Sequence, residues 1–71
     1  MIVSDKKVRN NIRALRFQNG EMTQADLAMK IGATRQTINA IEAAKYAPSL
    51  ELAFKIADVF GEPIECVFDY K

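Results

Sequence analysis

The chain has 71 residues, 49% hydrophobic and 27% charged, enough for one small soluble domain spanning residues 1–71. Histidine is absent and Cys66 is the only cysteine, which rules out an internal disulfide and a zinc site and removes the commonest general base. The net charge of +1 hides an asymmetry: residues 1–45 carry eight Lys/Arg against four Asp/Glu, and residues 46–71 carry two against five, so the first part of the chain suits an anionic partner.

Met1-Ile2-Val3 is β-prone. After it, Ser4 or Asp5 can cap a first helix in which Val8, Ile12 and Leu15 recur at i, i+4, i+7. Arg9, Arg13 and Arg16 repeat at the same spacing one residue on, placing a basic stripe beside the apolar one. Phosphate contact and plain solvation are equally good readings of Arg9 and Arg13. Asn19-Gly20 stops this helix, because both residues tolerate the left-handed conformation.

Thr23 is the next N-cap, with Asp26 completing an approximate capping box. Leu27, Ala28 and Ile31 face inward, and Gly32 ends this element after about two turns. Thr34 caps a third helix only two residues later, so two short helices meet at a steep angle through a tight turn. On the third helix Ile38 and Ile41 form the inner side. Arg35, Gln36, Asn39 and Ala40 form the outer side, without a carboxylate.

Residues 44–49 read as a loop and Ser49 caps a fourth helix. Its Leu50, Leu52, Ala53, Phe54, Ile56, Ala57, Val59 and Phe60 leave a narrow polar strip, the pattern of a helix in the middle of a bundle. Phe17, Phe54, Phe60 and Phe68 are expected in the core, while Tyr46 either covers the core or reaches a phosphate. Gly61 ends the fourth helix, Pro63 starts a brief fifth, and Val67-Phe68-Asp69-Tyr70 reads as a short strand.

The segment QADLAMKIGATRQTINAIEA, residues 24–43, has the steric framework of a helix-turn-helix: a small residue at Ala28 where the second helix crosses, and Gly32 at the turn. Together with its continuation KYAPSLELAFKIADVFG, it resembles the phage repressor and Cro (XRE-type) regulators. The chain is similar to the short, single-domain cytolysin-repressor type. That resemblance implies an all-α, five-helix repressor-like bundle with a small antiparallel β-ribbon from the chain termini.

It also implies site roles. Thr34, Arg35, Gln36 and Asn39 would face base edges in the major groove. Thr23, Gln24, Thr37, Lys45 and Tyr46 would contact phosphates, and Arg16 and Glu42 would form a structural ion pair linking the first and third helices. The run RFQNGEMTQ is one residue longer than in the most compact phage members, which puts the place of Arg16 in question. Ala40 stands where some relatives carry a longer polar side chain, narrowing readout to Arg35, Gln36 and Asn39.

The expected function is therefore a DNA-binding transcriptional regulator, a repressor reading a palindromic operator as a homodimer. Ile2, Val3, Ile64, Val67, Phe68 and Tyr70 would form the apolar ledge at its dimer interface. No enzyme activity, metal, cofactor, membrane association or small-molecule ligand is expected. The absence of an export signal points to the cytoplasm, and the absence of a sensor domain points to control by concentration, a partner or temperature. An antitoxin-like interaction module that autoregulates its own operon is the alternative.

Overall fold

A computed structural model describes residues 5–71. The expectations for Met1, Ile2, Val3 and Ser4 lie outside the described residues. In chain order the elements are β1 (Val8–Asn10), α1 (Ile12–Gln18), α2 (Gln24–Ile31), α3 (Arg35–Glu42), α4 (Leu50–Phe60), α5 (Ile64–Val67) and β2 (Phe68–Tyr70). Among the described residues, five helices and a two-stranded antiparallel sheet give the expected helical architecture. No helix among the described residues is long and apolar enough to cross a membrane.

The chain's beginning differs from the sequence expectation. Val8 is not the first turn of a helix; it pairs with Tyr70 in the sheet, followed by Arg9 with Asp69 and Asn10 with Phe68. Helix α1 starts only at Ile12 because Asn10 intervenes. Its Oδ1 accepts from the Ile12 N–H at 3.1 Å, and its Nδ2 donates to the Ile41 carbonyl at 2.8 Å. A short polar side chain that bonds its own neighbourhood competes with helix formation. The i, i+4, i+7 run from Val8 was thus a coincidence of a strand followed by a helix, and Arg9 does not belong to a helical stripe.

The helix ends follow the sequence closely. Thr23, Thr34 and Ser49 each accept a backbone N–H three residues on, and Thr23 forms a full capping box with Asp26. The Thr23 N–H, then the Thr23 hydroxyl, hold the Asp26 carboxyl below its ordinary pKa. Gly32 closes α2 at φ 71°. A Cβ there would meet nothing within 4 Å, so glycine is favoured by the left-handed backbone and not by crowding.

Helix α3 ends the same way without a glycine. The Lys45 N–H donates to the Ala40 carbonyl and the Ala44 N–H to that of Ile41, both at 3.0 Å, and Ala44 takes the left-handed position at φ 58°. An L-residue with a Cβ pays for that conformation. Ala44→Gly is expected to stabilise the protein by up to about 1 kcal/mol, net of the entropy that glycine adds to the unfolded chain. A denaturant midpoint that falls would show that Ala44 is not strained.

Ile12, Leu27, Ile38, Ile41, Ile56 and Val67 are the largest fully buried side chains, joined by Ala28, Ile31, Ala57 and Phe60. Three expectations of burial fail. Phe17 is 53% exposed, and on α4 Leu50 and Phe54 are 68% and 53% exposed. Helix α4 buries Ala53, Ile56, Ala57 and Phe60, so a narrow arc with two alanines suffices, and the apolar residues beyond it face outward. Val67 is fully buried. It belongs to the core and cannot serve the dimer ledge.

Candidate nucleic-acid interface

Helices α2 and α3 form the helix-turn-helix. Ala28, 3% exposed, sits on the inner side of α2, and its carbonyl accepts the Ala33 N–H at 2.9 Å, tying the turn to the helix it leaves. Ile38 and Ile41 are buried, which fixes the rotation of α3 and turns Arg35, Gln36 and Asn39 outward, all exposed. The face holds one positive charge and no carboxylate. Neither Arg35 nor Gln36 makes a side-chain hydrogen bond or ion pair among the described residues, so their donors are available.

Asn39 differs. The Gln24 amide donates to its Oδ1 at 3.4 Å, a long hydrogen bond between the first residue of α2 and the outer face of α3. The amide groups expected at phosphate and at base are thereby joined. Thr34 caps α3, and its hydroxyl lies 3.0 Å from that of the half-buried Thr37. Both hydroxyls are committed to the helix start, and Thr23 is committed to its capping box. Lys45 and Tyr46 are exposed just beyond α3, Tyr46 by 50%, so its ring does not cover the core.

Behind this face lies the pair of Arg16 and Glu42. Arg16 Nε and Nη2 donate to the two Glu42 oxygens at 2.8 and 3.1 Å, and Nη1 donates to the Met22 carbonyl at 2.8 Å. The extra residue in RFQNGEMTQ does not displace Arg16. Gly20 and Glu21 both adopt positive φ, 74° and 57°, and the Met22 N–H returns to the Arg16 carbonyl at 3.0 Å. The loop is folded tightly back against the arginine that α1 must present to α3.

A cleft lined by Arg13, Phe17, Gln24, Asn39 and Glu42 separates α1 from this face. Its aromatic wall is a feature that sequence reasoning missed, because a phenylalanine in a helical pattern reads as core. The signal available was the flanking Arg13 and Arg16, at i−4 and i−1.

Comparison with known proteins fits this geometry. The helix-turn-helix family profile matches residues 12–65. A protein of Methanocaldococcus jannaschii, described as an uncharacterized HTH-type transcriptional regulator, is 62% identical over 50 residues, covering 70% of this chain and 76% of its own. One from Archaeoglobus fulgidus with the same description is 51% identical over 61 residues, 86% of each chain. One from Bacillus subtilis is 43% identical over 61 residues, 86% of this chain and 91% of its own. In fold, the chain is similar to the crystal structure of a candidate DNA-binding protein from Bacteroides fragilis, with a TM-score of 0.76 at 22% identity over 87% of this chain and 98% of that one. The chain belongs to the XRE-type helix-turn-helix family of transcriptional regulators, not to an enzyme family.

Proposed function

We propose that this chain is a sequence-specific repressor that reads a palindromic duplex operator through α3. The observation that carries this reading is the outer face of α3, where Arg35, Gln36 and Asn39 are exposed without a carboxylate. Arg pairs bidentately with guanine and Gln or Asn with adenine, whereas a carboxylate would be repelled by flanking phosphates. The Gln24–Asn39 hydrogen bond supports a coupled arrangement: a phosphate held by Gln24 and by the free N–H groups of the α2 N-terminus would also orient Asn39 toward its base. Lys45 and Tyr46 would hold the backbone at the other end of α3. Bound at a promoter, the protein would exclude polymerase.

One short helix reads too few base pairs for a selective site, which argues for a two-fold dimer. An apolar surface lined by Val8, Ile64, Phe68 and Tyr70, with Glu65 and Asp69 beside it, supports the β-ribbon and α5 as its interface. Tyr70 is 59% exposed, so Tyr70→Asp leaves the core intact and should convert a micromolar dimer to monomer in sedimentation. A variant that remains dimeric would move the interface elsewhere.

Selection of bound duplexes from a random pool tests the function. Two-fold symmetric sites with half-sites about 34 Å apart are expected. Failure to enrich any sequence would reject specific readout. The antitoxin-like alternative draws support from the exposed Leu50 and Phe54 on α4, and a stoichiometric protein partner that covers them would favour it.

A further inference from the structure

Arg9, Arg13 and Arg16 look equivalent in the sequence, but the structure gives them different company. Arg9 donates through Nε to the Lys71 carbonyl at 2.9 Å. Arg16 is consumed by Glu42 and Met22. Arg13 makes no hydrogen bond or ion pair among the described residues. Its guanidinium carbon lies 5.6 Å from the centroid of the Phe17 ring, one turn further along α1.

Phe17 is the other half of this contact. It is 53% exposed and has a second guanidinium, that of Arg16, at the same 5.6 Å. Phe54 is exposed to the same extent, so exposure alone marks nothing; what sets the Phe17 ring apart from it is the pair of guanidinium groups beside it. Here it restrains a flexible cation through a cation–π contact, which lowers the entropy that Arg13 would lose on gripping an anion.

The position is equally pointed. Arg13 and Phe17, from α1, line the same cleft as Gln24 of α2 and Asn39 of α3. Among the described residues, the only carboxylate lining that cleft is Glu42, already neutralised by Arg16 at 2.8 Å. The charge left over is therefore that of Arg13, beside the residues to which the proposed function assigns one phosphate and one base.

We propose that Arg13, braced on Phe17, is a second binding site for a backbone phosphodiester of duplex DNA, on the α1 side of the cleft. This rests on the reading of α3 as the groove-facing helix. Arg13 grips the backbone next to the phosphate at the α2 N-terminus, fixing register without reading sequence. Arg9, held by the Lys71 carbonyl, contributes nothing comparable.

Binding of a selected duplex, measured against salt concentration for the wild type, Arg13→Gln, Arg9→Gln and Phe17→Leu, tests the assignment. The slope of log K against log salt should become shallower by about 0.9 in Arg13→Gln, the share of one phosphate contact on duplex DNA, with sequence preference unchanged. Arg9→Gln should keep the wild-type slope. Phe17→Leu should also keep it but bind more weakly, with an unchanged thermal midpoint separating loss of the brace from loss of fold. An unchanged slope in Arg13→Gln, or an equal drop in Arg9→Gln, overturns the proposal and leaves the α3 reading standing. A wild type that binds no duplex overturns both.

Discussion

Glu42→Gln is expected to destabilise the protein by about 3 kcal/mol or more, because it leaves the largely buried Arg16 guanidinium without its counter-charge. The two side chains are only 9% and 11% exposed. Their geometry is bidentate, with the third donor satisfied by Met22, so each partner is desolvated on behalf of the other. An exposed pair would contribute ~1 kcal/mol or less. For a domain of this size about 3 kcal/mol corresponds to a fall in thermal midpoint of more than ~10 °C and to a large share of a total stability of roughly 5–15 kcal/mol. The double variant Arg16→Met/Glu42→Met separates charge from packing, since removing both charges should recover much of the loss. A single variant that melts with the wild type would mean that the pair behaves as a surface contact.

This pair also shows what was legible in the sequence and what was not. Local chemistry carried over well: Thr23, Thr34 and Ser49 cap their helices, and Gly32 and Gly61 end theirs, because capping depends on one side chain and the next three residues. Features decided at longer range were less visible. Arg16 reaches Glu42 only because Gly20 and Glu21 absorb an extra residue with two left-handed backbones, and glutamate gives no hint of that. The strand at Val8–Asn10 exists because β2 is there to pair with it and because Asn10 bonds across to Ile41. Its apolar residue happens to fall in phase with the helix that follows.

The misplaced aromatics teach the same lesson about the site. Hydrophobic periodicity locates the buried arc of a helix but not its width, and α4 fills its arc with Ala53, Ile56, Ala57 and Phe60. Leu50 and Phe54 were therefore surplus to the core. Phe17 was surplus too, and lies against two guanidinium groups. By contrast, the exposure of Arg35, Gln36 and Asn39 followed directly from placing Ile38 and Ile41 inside, since an eight-residue helix with two fixed inner residues has little freedom to rotate.

The double variant Arg35→Ala/Gln36→Ala is expected to lose about 2–6 kcal/mol of binding at its selected operator, from ~1–3 kcal/mol for each bidentate base contact. The two positions are adjacent, so the sum is an upper range and not a strict total. Both side chains are exposed and outside the core, so the thermal midpoint should not move. Affinity for unrelated duplexes should change far less, and the preference for the operator should flatten at the base pairs that α3 faces. Gln24→Ala and Lys45→Ala should behave differently. Gln24→Ala removes the hydrogen bond to Asn39 and, on the proposed reading, an uncharged phosphate contact, so it should weaken all sequences and loosen the choice of base expected of Asn39. Lys45→Ala removes a cation, weakening all sequences alike with a shallower salt dependence. The contrast between a specificity defect at Arg35 and Gln36 and a uniform defect at Lys45 is what a groove-facing α3 requires. If Arg35→Ala/Gln36→Ala binds the selected site as tightly and as selectively as the wild type, α3 does not read the groove.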